Sequence, residues 1–236
     1  MVSPELEDKF DRATEALAEG FRELEKFGGI SLPALLDTSY THLIISFTPG
    51  ITRRFTEAGG VYYEVEEYAS RYLGGASQKL PEALDALKTI CASNVFEGAK
   101  MPESLRVKAH SLILGNFPGA KRRGPPLSKD FTLRFVMRQS ALSVRNAFEL
   151  SLTRHDGPRT MSACDAVSMV ADQFGVRVTY KSLESWCTSK KHQGFRDRAD
   201  AIWNHLTDQY LVKVGALKES PSNLSGPFAE LGRMRR

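Results

Sequence analysis

Several protein classes are excluded by what this sequence does not contain. It has only three cysteines, Cys91, Cys164 and Cys187, far apart and odd in number. They form no C-x-x-C pair and share no short metal-ligand spacing with a histidine, so reduced thiols are expected rather than a disulfide framework or a zinc site. No apolar run approaches the roughly 18 residues that a membrane span needs. The opening MVSPELEDKF is acidic where a secretory signal would be basic and then apolar, which points to a cytoplasmic protein with no membrane partner. Its histidines, His42, His110, His155, His192 and His205, are scattered without an H-E-x-x-H pairing, and neither a G-x-x-x-x-G-K-[ST] phosphate loop nor a G-x-S-x-G elbow occurs. No catalytic residue, cofactor or metal ligand is nominated, and a non-enzyme is expected.

What is present is ordinary globular composition with uneven charge. Hydrophobic residues make up 42% of the 236 residues and charged residues 25%, enough to bury a core in one large domain or two small ones. Residues 1–119 carry 12 Lys/Arg against 17 Asp/Glu, whereas residues 120–236 carry 20 against 11. An acidic half followed by a basic half predicts different partners for the two, with polyanions drawn to the basic one because neutralised phosphates release their counterions.

Helical periodicity dominates the acidic half. Leu6, Phe10, Ala13, Leu17, Phe21 and Leu24 recur at steps of three and four, after Ser3 and Pro4 as cap and first helical residue and before Gly28-Gly29 as a stop. Ser31 to Phe47 is open between a helical stripe and a buried strand at HLIISF. Val61, Val65, Tyr68 and Tyr72 read as another helical stripe, and Leu80 to Val95 as a further one, with Pro81 in its first turn. Pro102 opens a fifth helix, carrying Leu105, Ala109 and Leu112. Residues 1–118 are therefore expected to form an acidic helical domain serving self-association or a protein partner.

The composition then changes. Gly115 to Lys129 concentrates Gly, Pro and Lys/Arg, and 119–129 is predicted to be a basic linker whose Lys121, Arg122 and Arg123 can track DNA phosphates as flexible arms do. Beyond it lies a helix candidate, Asp130 to Leu152, with a stripe of Leu133, Met137, Ala141, Val144 and Phe148. Beside that stripe Arg134, Arg138 and Arg145 are predicted to form a basic ridge. After a turn at HDGPRT, a helix is expected over Met161 to Phe174, and a last one runs from Phe195 towards Leu217. The expected domain spans 130–218, and residues 219–236 are expected to be a flexible basic tail.

The stretch VADQFGVRVTYKSLESW, Val170 to Trp186, carries the functional argument. Ala171 offers a small side chain for a close helix crossing, Gly175 can take the left-handed conformation that ends a helix, and Val176 can turn back into the core. Thr179 suits an N-cap, and Leu183 and Trp186 would anchor a second helix. Tyr180, Lys181, Glu184, Ser185 and Thr188 then fall on its outer side, with Arg177 in the turn and Lys190 and Lys191 after the helix, a set suited to phosphates and base edges. The competing reading takes Val176, Val178 and Tyr180 as the alternating face of a short strand.

On Ala171, Gly175, Val176, Thr179, Leu183 and Trp186, the segment 161–191 resembles the helix-turn-helix of bacterial and phage DNA-binding proteins. It departs from them in a turn two residues longer. The resemblance implies an all-α fold with a helix-turn-helix-like unit, double-stranded DNA as partner, a homodimer reading two half-sites, and a role in transcription regulation. The alternatives are a helical protein-interaction module without a nucleic-acid role, and a phage packaging or replication accessory protein.

Overall fold

The computed structural model describes residues 3–121, 128–154 and 161–213. The HDGPRT turn and the tail from 219, both singled out above, lie outside the described residues, as do Arg122 and Arg123. The described chain is mostly helical: α1 (Pro4–Gly28), α2 (Leu32–Leu36), α3 (Tyr40–Phe47), β1 (Ile51–Phe55), β2 (Val61–Val65), α4 (Glu67–Ala76), α5 (Pro81–Phe96), α6 (Glu103–Ile113), α7 (Phe131–Phe148), α8 (Ala163–Gln173), α9 (Tyr180–Thr188), a 3-10 turn at Lys190–His192 and α10 (Gln193–Lys213).

The chain divides into two compact units, and the division differs from the expected boundaries at 118 and 130. Among the described residues, the first unit joins the N-terminal 38 residues to residues 128–199, and the second holds residues 39–121 and 200–213. The physical reason lies in α8. Ala163, Cys164, Ala166, Val167, Val170 and Ala171 are all buried, a surface too wide for one neighbouring helix to cover. The stripe of α1, with Phe10, Ala13, Leu17, Phe21 and Leu24 buried, packs on α8 and α7 and supplies the missing cover. Each of its Phe and Leu side chains taken out of water contributes about 2 kcal/mol. Phe21 meets Phe174 edge to face, with ring centroids 5.5 Å apart.

This rearrangement alters the charge argument. Because α1 brings its carboxylates along, residues 1–38 and 128–199 together carry 16 Lys/Arg and 16 Asp/Glu. The segregation along the sequence is therefore not a segregation between units, and any attraction for a polyanion has to come from local placement of cations.

In the first unit α1 follows the sequence signals: the Ser3 hydroxyl accepts from the Leu6 N–H, and Gly29, at φ 64°, closes the helix with a bond to the Glu25 carbonyl. In the second unit HLIISF resolves as helix, capped by Ser39 and burying Leu43, Ile44, Ile45 and Phe47. The helical stripe expected from Val61 to Tyr72 is a correction. Val61–Val65 is a strand, paired antiparallel to Ile51–Phe55 with Ile51 opposite Val65 and Phe55 opposite Val61, and α4 begins only at Glu67. Spacing of four between Val61 and Val65 satisfies a helix, but it also satisfies alternation through Tyr63, and Tyr63 is the buried residue. The turn joins the two strands: the Thr56 N–H donates to the Gly60 carbonyl at 2.9 Å, and the Thr56 hydroxyl accepts from the Gly60 N–H at 2.8 Å.

Candidate nucleic-acid interface

The segment from Ser162 to His192 is assembled by local rules. Ser162 and Asp165 form a reciprocal capping box at the start of α8. At its end the Gly175 N–H donates to the Asp172 carbonyl at 3.0 Å, and the Val176 N–H donates to the Ala171 carbonyl at 2.9 Å. With Gly175 at φ 75°, this is a Schellman closure, and it turns the buried Val176 back under the helix. Val178 is buried as well, and its carbonyl accepts from the Ser168 hydroxyl at 2.6 Å. The alternation of Val176 and Val178 thus reflects two inward plugs in a turn, and no strand forms there. Thr179 then caps α9, its hydroxyl accepting from the Ser182 N–H at 3.2 Å. Leu183 is fully buried, and Trp186 packs under the Arg134 guanidinium, 5.6 Å from the ring centroid.

The nominated residues divide into three groups. Arg177, Lys181, Lys190 and Lys191 are exposed and form no ion pair among the described residues. Thr188 is exposed and Ser185 half-buried; with Lys181 they follow steps of four and three along one face of α9. Lys121 is exposed in the second unit.

The second group is committed to local structure. The Tyr180 hydroxyl donates to Glu184 at 2.9 Å and accepts from the Arg154 N–H at 2.9 Å, under a guanidinium 4.3 Å from the ring. That same Arg154 is paired with Asp165 at 2.5 Å. Tyr180 and Glu184 therefore tie α9 to the start of α8 rather than offering free groups to a ligand. Burial, opposed by the bond from Arg154 and helped by Glu184, pushes the Tyr180 phenol above its ordinary value. Sequence reasoning missed Arg154, which lay beside an apparent turn; the i, i+4 relation of Tyr180 and Glu184 was the available signal.

The third group corrects the basic ridge on α7. Arg138 is only 6% exposed and cannot present its charge outward. Arg134 is held by Asp130 at 2.5 Å and by Trp186, and only Arg145 is exposed, bonded to the Asn146 side chain at 2.9 Å. The ridge fails because Arg134 and Arg138, one turn apart, lie on the flank of α7 that α9 covers. The charge of Arg138 acts inward instead. The Cys164 thiol hydrogen-bonds to Cys187, and that bond, against burial and with help from Arg138, Arg196 and Arg145, holds Cys187 below the usual thiol range.

Near the cations, burial together with Lys191, Arg134 and Arg196 lowers the pKa of His192, with Asp130 opposing. No group of three or more His, Cys, Asp or Glu among the described residues is arranged to hold a metal ion. No described helix is long and apolar enough to cross a membrane. Neither a protein-family model, nor a curated protein, nor a solved structure matches this chain.

Proposed function

We propose that the chain binds double-stranded DNA through the helix-turn-helix-like segment 161–191, as a homodimeric regulator of bacterial or phage type. The observation that carries this reading is the bracketing of α9 by exposed cations. Arg177 and Lys181 stand at its N-terminal end, and Lys190 and Lys191 follow its C-terminal end, none of them paired with a described carboxylate. Nine helical residues span about 13 Å, close to the major-groove width of about 12 Å, so cations at both ends can reach the phosphates of both walls. Along the same face as Lys181, the half-buried Ser185 and the exposed Thr188 carry hydroxyls suited to base edges.

The test is the salt dependence of binding to a random-sequence duplex. Replacing Lys181, Lys190 and Lys191 together with alanine is expected to weaken binding and reduce the slope of log K against log salt by about 3, with the helical content unchanged. Failure of the intact chain to bind at low salt, or an unchanged slope in the triple variant, rejects the reading. The charge balance of the first unit favours a second reading, a helical module for protein partners, which nuclease-insensitive recovery of one stoichiometric protein would support.

A further inference from the structure

The hairpin of the second unit has two outer edges, and only one is closed. The Thr56–Gly60 and Glu66–Gly50 backbone bonds fix the phase of the ladder. In that phase Tyr63 turns its peptide groups away from β1, and Ile51, Arg53 and Phe55 turn theirs away from β2. On the β2 side the Asn94 side chain acts as a strand: its Oδ1 accepts from the Tyr63 N–H at 2.7 Å and its Nδ2 donates to the Tyr63 carbonyl at 2.8 Å. On the β1 side the Ile51 N–H reaches the Thr48 carbonyl. The N–H and C=O groups of Arg53 and Phe55 bond to none of the described residues.

The side chains along this open edge have a definite chemistry. Phe55 is 65% exposed. Arg54 is paired with Glu64 at 2.9 Å on the opposite face. Arg53 has no ion pair among the described residues, and its guanidinium rests 4.9 Å from the centre of the Phe55 ring. The edge therefore combines unmet backbone donors and acceptors with one unneutralised cation and an aromatic surface. A second copy fits it poorly, because antiparallel self-pairing centred on β1 sets Arg53 against its own counterpart.

We infer that the free edge of β1 docks an extended protein segment as a third strand, with a carboxylate opposite Arg53 and an apolar side chain two residues away against Phe55. Backbone bonds supply the attachment, and the alternating side chains supply the selectivity. This function is separate from the DNA reading and neither depends on the other.

The probe is the capped peptide Thr-Val-Thr-Glu-Thr-Val-Thr, whose symmetry allows either strand direction, titrated into the full chain and followed by fluorescence anisotropy and by the amide resonances of Arg53 and Phe55. Binding is expected. It should weaken about tenfold or more when the bonding amides of the peptide are N-methylated, and similarly when its Glu is replaced by Lys. Arg53→Glu should reverse the preference between the two peptides. Phe55→Pro, which removes an outward N–H and leaves the ladder to β2 intact, should abolish binding without loss of the folded signal. Absence of binding at millimolar peptide, binding that survives N-methylation, or a dimer of the full chain dissolved by Phe55→Pro would each overturn the inference, the last by giving the edge to a second copy.

Discussion

The α8–α9 segment and the β1–β2 hairpin are both short, both near the surface of their units, and built on opposite principles. The bonds that cap and close the helices of the first join residues close in sequence: Ser162 with Asp165, Gly175 with Asp172, Val176 with Ala171, Thr179 with Ser182. The hairpin depends on Asn94, which lies 31 residues from the Tyr63 peptide groups it satisfies. A segment held by local caps tolerates the loss of any one, because the others still specify the same backbone. A strand edge closed by one distant side chain has no such redundancy.

The sharpest way to break this comparison is Asn94→Leu. The change keeps the branched shape but leaves the buried Tyr63 N–H and C=O without their partner. Each unmet buried group costs about 1–3 kcal/mol, so a total of about 3 kcal/mol is expected in urea unfolding, with early hydrogen exchange through Val61–Val65. A loss well under 1 kcal/mol would mean that the hairpin does not depend on Asn94.

A smaller effect is expected at Gly175. An added Cβ there meets nothing nearer than the Pro33 ring, at 3.8 Å, so the space is open and the cost comes from the backbone alone. Holding alanine at φ 75° costs about 1–2 kcal/mol, and asparagine, which tolerates that region, should cost less. Thermal unfolding of Gly175→Ala and Gly175→Asn ranks them. If the two variants melt alike, the left-handed closure is not what ends α8.

The same contrast explains what the sequence made legible. The N-cap of α1, the end of α8 and the start of α9 were readable because capping and helix termination are set within a few residues. The hairpin was not, because the choice between strand and helix at Val61–Val65 rests on Tyr63 being covered by α5, a tertiary fact. The assignment of α1 to the C-terminal unit was hidden for a related reason. Its stripe announces that a face is buried but does not say against what. In the candidate site, exposure of Lys181 followed from helical phase and that of Lys190 and Lys191 from their place just after the helix, whereas the burial of Arg138 and the engagement of Tyr180 by Arg154 required knowing which flank of each helix meets a neighbour.

The smallest expected effect probes the interior of the α8–α9 pair without disturbing its backbone. The thiolate is the form that reacts with iodoacetamide, so alkylation at a given pH ranks the cysteines by how easily they ionise and how well they are reached. Cys187 is half-buried and held below the usual thiol range, first by the Cys164 hydrogen bond. Its donor, Cys164, is fully buried and driven far above that range, and burial takes Cys91 up to about 11. Near neutral pH Cys187 should therefore be labelled first, with Cys91 and Cys164 protected until the chain unfolds, as read by peptide mass spectrometry. The direction of the pH dependence follows. Removing the donor with Cys164→Ala should shift the labelling midpoint of Cys187 upward in pH, while Cys164→Ser, which retains an O–H donor, should leave it nearer its original position. Equal midpoints in all three proteins would remove the thiol pair as the cause and leave the arginines around Cys187 to explain its acidity.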